Sequence, residues 1–225
     1  FHAEMRHINT DSDSEVLLNI FAHELAKQRE IFPRPEHFFN AVKKTHRRCD
    51  GAYAVIALIT GFGILAFRDE NAIRPLSLGK RAGKTRDEYI VASEDAMFQS
   101  MNFEKVRDLE PGEAVFIDKD GQLFSQQCSE NPIKRPCIFE YVYFARPDSK
   151  IDEISVYKAR MRMGISLAKR IKKLDFYKDI DVVIAIPDSS TTAALQLASE
   201  LKLPYRQGFV KNRYIGRTFI MPYQE

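Results

Sequence analysis

The sequence predicts an α+β block followed by the opening of a doubly wound α/β domain. Apolar runs at helical spacing come first and give way to short strands; near residue 150 the period returns to helical. A continuous apolar segment, 181–186, then runs into a Ser/Thr-rich turn and another helix, the order that starts a parallel α/β sheet.

The elements follow in chain order. Thr10, Ser12, Asp13, Ser14 and Glu15 place hydroxyls and carboxylates ahead of Val16, Leu17, Leu18, Ile20, Phe21 and Leu25, which predicts a helix over 14–29. Beyond Pro33 and Pro35, the residues Phe38, Phe39, Ala41 and Val42 share one face of a second helix that stops near 49–51. Segments 53–59, 63–68, 76–79 and 89–93 are short, apolar and parted by Gly, Pro and charged turns, as antiparallel strands are. Strands at 115–117 and 123–125 flank Asp118-Lys119-Asp120-Gly121, a hairpin signature.

Segment 139–149, FEYVYFARPDS, is a junction between the two blocks. Its residue types read as a strand stopped by Pro147, with Arg146 and Asp148 as a charge pair at the exit. Tyr141, Tyr143 and Phe144 suit a surface buried between domains. Val156, Ala159, Met163, Leu167, Ala168 and Ile171 then mark an amphipathic helix. Segment 181–186 reads as a strand buried on both faces, and 191–201 as the helix after it.

Composition narrows the partners. Over 225 residues, 34 basic and 31 acidic side chains leave a net charge of +3, too balanced to imply nucleic acid. The surplus sits in the last third, where small anions are the expected ligands. Three cysteines, Cys49, Cys128 and Cys137, suggest no disulfide framework and fit a reducing cytoplasm. No apolar run is long enough for a membrane span, so no membrane partner is expected. A chain that opens on Phe1 rather than Met reads as a piece of something longer.

Three places could carry chemistry. Asp13, at a helix start, can cap the helix or hold the ammonium of an amino acid. The loop around Ser189, Ser190, Thr191 and Thr192 offers hydroxyls and N–H groups at a helix N-terminus, suited to phosphate or hydrated magnesium. Lys211, Arg213 and Arg217, interleaved with glycines and aromatics, can form an anion clamp, or a plain solvated basic face. The histidines show no zinc spacing, and no cysteine has an adjacent base in sequence.

Taken together the sequence resembles the glutamine phosphoribosylpyrophosphate amidotransferases. The resemblance rests on HINTDSDSEVLLNIF at 7–21, the run GAYAVIALITGFGILAFRDENAIRPLSLGKR at 51–81, YIVASE at 89–94, LEPGEAVFI at 109–117, FEYVYFARPDS at 139–149, ISVYKARMRMG at 154–164 and PYRQGFVKNRYIGRTFIMP at 204–222. The first half is also similar to glucosamine-phosphate synthase, whose second half differs. The resemblance implies the C-terminal part of an N-terminal-nucleophile glutaminase, an αββα sandwich, over 1–125. A linker and the N-terminal part of a type I phosphoribosyltransferase domain would follow over 126–225.

The same resemblance implies the chemistry: glutamine, phosphoribosyl pyrophosphate and water give 5-phosphoribosylamine, pyrophosphate and glutamate, with ammonia passed between domains. Asp13 would hold the glutamine α-amino group. Ser189 would belong to the magnesium and pyrophosphate loop, with Lys211 at the root of a mobile loop and Arg213 and Arg217 also binding substrate. Tyr143 would line the ammonia path. Purine nucleotides as feedback inhibitors and a homo-oligomer, a tetramer, are further implications.

Departures from the family pattern carry expectations too. The nucleophilic cysteine and the oxyanion donors of the glutaminase are missing, as is the phosphate-gripping aspartate loop, so residues 1–225 alone are expected to be inactive. Cys137 matches an iron–sulfur ligand of some members, yet structural burial is the expectation and a cluster is not. Glu70-Asn71-Ala72 stands where the family often has Pro-Asn-Gly. A non-catalytic module sensing purine nucleotides or phosphoribosyl pyrophosphate is the alternative function.

Overall fold

In a computed structural model, the structure describes residues 8–10, 12–212 and 214. The chain divides into two compact units, Phe1–Cys137 with Ser149–Glu153, and Ile138–Asp148 with Ile154–Glu225.

The first unit opens with α1 (Asp13–Ala26) and α2 (Pro35–His46). Ser12 is the N-cap of α1, its hydroxyl accepting from the Ser14 N–H at 3.3 Å. Glu15 reaches backwards and accepts from the N–H groups of Asn9 and Thr10, both at 2.8 Å. Pro35 starts α2 at a position where a missing N–H costs nothing. The strands are β1 (Ala54–Ile59), β2 (Gly63–Arg68), β3 (Ser77–Ala82), β4 (Asp87–Ala92), β5 (Glu104–Asp108), β6 (Glu113–Asp118) and β7 (Leu123–Gln127). They form two antiparallel sheets, ordered β1-β2-β6-β7 and β4-β3-β5.

Period-two alternation sorts the core into two layers. Leu65 and Phe67 of β2, with Ala114 and Phe116 of β6, pack under Phe21, Phe38, Phe39 and Val42 of the helices. The intervening Ala66 and Val115 point the other way, into a second core with Leu76, Leu78 and Leu109. The first unit is therefore layered as helices, four-stranded sheet and three-stranded sheet. Phe38 is fully buried with its ring 4.6 Å from that of Phe116, and losing such a side chain typically costs about 3–5 kcal/mol.

The second unit is built on α3 (Val156–Ile171) and α4 (Thr191–Leu201), beside a short parallel pair, Val183–Ile184 with Tyr205–Arg206. Gly164 lets the two helices approach closely: a Cβ there would lie 2.4 Å from the Ala193 carbonyl oxygen. Ala168, Val183, Ala185, Ala194, Leu197, Ala198 and Leu201 make up its core.

Two expectations need correction, and one strand was missed. The aromatic segment is no strand: Glu140–Phe144 is a π-helical turn, closed by the Ala145 N–H donating to the Glu140 carbonyl at 2.9 Å. Segment 181–186 is not buried on both faces, since Val183 and Ala185 are buried whereas Val182, Ile184 and Ile186 are exposed. Among the described residues the packing helices cover one face only. The strand β5, EKVRD, was not foreseen because its positions lack apolar alternation. Lys105 there is tied to Asp95 and Asp108 at 3.2 and 2.9 Å, and Val106 is exposed.

Candidate functional sites

A cavity of about 920 Å³ in the first unit lies against α1 and β1, lined among others by Asp13, Leu17, Arg48, Tyr53, Val55 and Arg74. Because Ser12 takes the capping role, the exposed Asp13 carboxylate at the first helical residue is left over for other work. The Ser14 hydroxyl donates to it at 3.5 Å. The positive end of the helix dipole favours negative charge at that place.

Buried ionic groups give the cavity wall its shape. Glu24 accepts from Arg48 at 2.7 Å, tying α1 to the turn that leads into β1. Burial alone would raise the Glu24 pKa, but Arg48 and Lys27 outweigh it and hold the carboxyl below its usual range. The Asp69 carboxylate, fully buried, accepts from the N–H groups of Asn71, Ile73, Arg74 and Tyr53 at 3.0, 3.1, 3.1 and 3.3 Å. Two cavity residues, Arg74 and Tyr53, are thereby fixed by one side chain. Next to it, Arg68 donates to the carbonyls of Arg74, Leu109 and Ala72 at 2.6, 2.7 and 3.0 Å, and its guanidinium meets the Asp152 carboxylate at 3.1 Å. Tyr53 in turn meets His46 Nδ1 through its hydroxyl at 2.7 Å, and burial pushes the His46 pKa down and that of Tyr53 up.

In the second unit, residues 187–190 turn into α4, and the peptide between Pro187 and Asp188 is cis. Ser190 donates through its hydroxyl to the Ile186 carbonyl, and the Ala194 N–H donates to the Ser190 carbonyl at 2.8 Å. Ser189, Thr191 and Thr192 stand half-buried around the helix N-terminus. Lys211 Nζ lies 3.6 Å from the Asp188 carboxylate, both side chains largely in solvent.

The π-helical turn is the third place. Tyr141 is buried, whereas Tyr143 and Phe144 are half-buried with their rings 5.6 Å apart and edge-on. Phe139 stacks at a tilt on Phe144, 6.1 Å between centroids. Arg146 and Asp148 form the expected charge pair, a fork at 3.0 and 2.9 Å that holds the Asp148 carboxyl below its ordinary range.

No protein-family model matches the chain. Along its whole length it is 56% identical to the amidophosphoribosyltransferase of Pseudomonas aeruginosa and 55% identical to that of Escherichia coli. Over 97% of its length it is 53% identical to the enzyme of Saccharomyces cerevisiae. The chain belongs to the amidophosphoribosyltransferase family. It spans about 45% of the length of the curated relatives it matches. Among solved structures, the glutamine phosphoribosylpyrophosphate amidotransferase of Bacillus subtilis complexed with ADP and GMP matches with a TM-score of 0.77 and 35% identity. That match covers 99% of this chain and 45% of the neighbour's.

Within this amidophosphoribosyltransferase segment, the structure brings Lys211 beside the loop that carries Ser189, and sets Asp13 on a cavity wall. Tyr143 is held in the aromatic turn, and Arg213 and Arg217 lie outside the described residues. Among the described residues no three His, Cys, Asp or Glu side chains cluster as metal ligands. None of their helices is long and apolar enough to cross a membrane. Sequence reasoning missed Arg68, Asp69 and Asp152. Its one available signal was an Arg-Asp doublet ending an apolar strand, where two adjacent charges imply buried partners.

Proposed function

We propose that the protein to which this chain contributes is a working amidophosphoribosyltransferase. Glutamine and phosphoribosyl pyrophosphate are its substrates, and 5-phosphoribosylamine, glutamate and pyrophosphate its products. The observation that carries this reading is the identity of more than half of all positions to the Pseudomonas and Escherichia enzymes across both units. On this reading the helix and sheet layers belong to an N-terminal-nucleophile glutaminase sandwich, and the second unit begins a type I phosphoribosyltransferase domain.

The residues then divide the chemistry. The Asp13 carboxylate accepts from the α-ammonium of glutamine at the start of a helix. The loop carrying Ser189 presents hydroxyls and helix N-terminal N–H groups to the diphosphate, and Lys211 adds a cation. Without an acidic cluster among the described residues, magnesium fits best as part of the phosphoribosyl pyrophosphate complex, with the Ser189 hydroxyl among its contacts. It would neutralise charge on the leaving diphosphate. Ammonia donates its lone pair to the ribose C1 as the bond to pyrophosphate breaks, and Tyr143 lines its path. The reading includes purine nucleotides as inhibitors, supported by the ADP and GMP bound to the Bacillus subtilis enzyme, together with a homo-oligomer and cytoplasmic residence.

The test uses the full-length protein and two nitrogen donors. Asp13→Ala should lower glutamine-dependent phosphoribosylamine formation about 100-fold, equal to about 2.7 kcal/mol, and leave ammonia-dependent formation near wild type. Ser189→Ala with Lys211→Ala should depress both alike. Equal losses with both donors in Asp13→Ala would overturn the assignment of Asp13.

A further inference from the structure

We infer that Arg160 is a positioning residue whose guanidinium holds the aromatic turn in the register that places Tyr143. In an α-helical turn the Ala145 N–H would donate to the carbonyl of Tyr141, four residues back. Here it donates to Glu140, five back, which marks the wider π-helical turn. Arg160 grips that turn at two carbonyls: Nε donates to the Tyr141 carbonyl at 2.7 Å, and Nη2 to the Ala145 carbonyl at 2.8 Å. The two anchored carbonyls stand two residues before and two after Tyr143, so one planar fork brackets it.

Arg160 projects from α3, and only 4% of its surface is exposed. A buried guanidinium is costly unless its donors are matched, and the two carbonyls match Nε and Nη2. Tyr141 is thereby drawn inward, and Tyr143 and Phe144 stay half-buried against each other. Lysine cannot reproduce this, because a single ammonium lacks the fixed fork that spans both carbonyls. The inference deepens the proposed function, resting on its placement of Tyr143 along the ammonia path.

The experiment compares Tyr143→Ala and Arg160→Lys in the full-length protein, reading the ratio of glutamate released to phosphoribosylamine formed. In the wild type that ratio should be near one. Both variants should raise it, to about threefold or more, while glutamine hydrolysis and ammonia-dependent synthesis stay within about twofold of wild type. The double variant should be no more uncoupled than Tyr143→Ala alone, since both act through one side chain. If Tyr143→Ala keeps the wild-type ratio, the path reading itself fails. If Tyr143→Ala uncouples and Arg160→Lys does not, the role of Arg160 is overturned. Should Arg160→Lys fail to fold, deleting the exposed Val142 removes the extra residue of the turn and leaves Arg160 in place. That deletion should uncouple the two reactions as well, and a wild-type ratio in it would equally overturn the inference.

Discussion

Ala72 sits fully buried at φ 49°, a left-handed conformation that an L side chain adopts at a cost. Its N–H donates to the Asp69 carbonyl at 3.0 Å and its own carbonyl accepts from Arg68, so the surrounding bonds hold it there. Glycine relieves that strain, and Ala72→Gly should stabilise the protein by about 1 kcal/mol, read as a higher urea midpoint. A lower midpoint would mean that the buried methyl matters more than the backbone. Asp152 offers a pH test. Burial alone would raise its pKa, yet Arg68 and Lys134, the latter at 2.9 Å, together hold the carboxyl below its ordinary value. A depressed folded-state pKa stabilises fully above the unfolded value of about 3.9 and is lost as the pH falls through the folded one. Asp152→Asn should therefore cost about 3 kcal/mol near pH 7, where it strands the buried Arg68, and progressively less as the pH falls below about 4. Urea unfolding of both proteins across that range measures the gap, and a gap independent of pH would exclude ionisation of Asp152 as its source.

The elements differ in how far the sequence announces them. Both N-terminal helices and the hairpin at 118–121 were legible, because apolar spacing, caps and turn residues agree there with the fold. The turn Glu140–Phe144 was not: aromatic and β-branched residues favour extended backbone, and what overrules them is Arg160, remote in sequence and hidden in a helix that reads as plainly amphipathic. Similarly, β5 is stabilised by pairing with β3 and by ionic partners of Lys105, none of which shows as a pattern in EKVRD. The α3–α4 contact, by contrast, depends on one small residue. Gly164→Val should destabilise the protein by about 2 kcal/mol or more, because the added carbons meet the Ala193 carbonyl with nowhere to go. A wild-type midpoint in urea would show that the helices can re-space without loss.

At the scale of the molecule, each unit has its own core, and the chain passes from one unit to the other at 137–138, 148–149 and 153–154. Asp13, Ser189 and Lys211, to which the proposal gives glutamine and diphosphate, could be singled out from the sequence, since hydroxyls and charges at helix starts and beside glycines are visible without a fold. The framework of Arg68, Asp69 and Asp152 was not, for its partners are backbone groups and residues far apart in sequence. Coupling of the two half-reactions in one protein is the account's central claim. It is tested most directly by measuring glutamate and phosphoribosylamine together, in the full-length protein with saturating glutamine and phosphoribosyl pyrophosphate. The account predicts one phosphoribosylamine for each glutamate; glutamate release with no phosphoribosylamine formed from either glutamine or ammonia would contradict it.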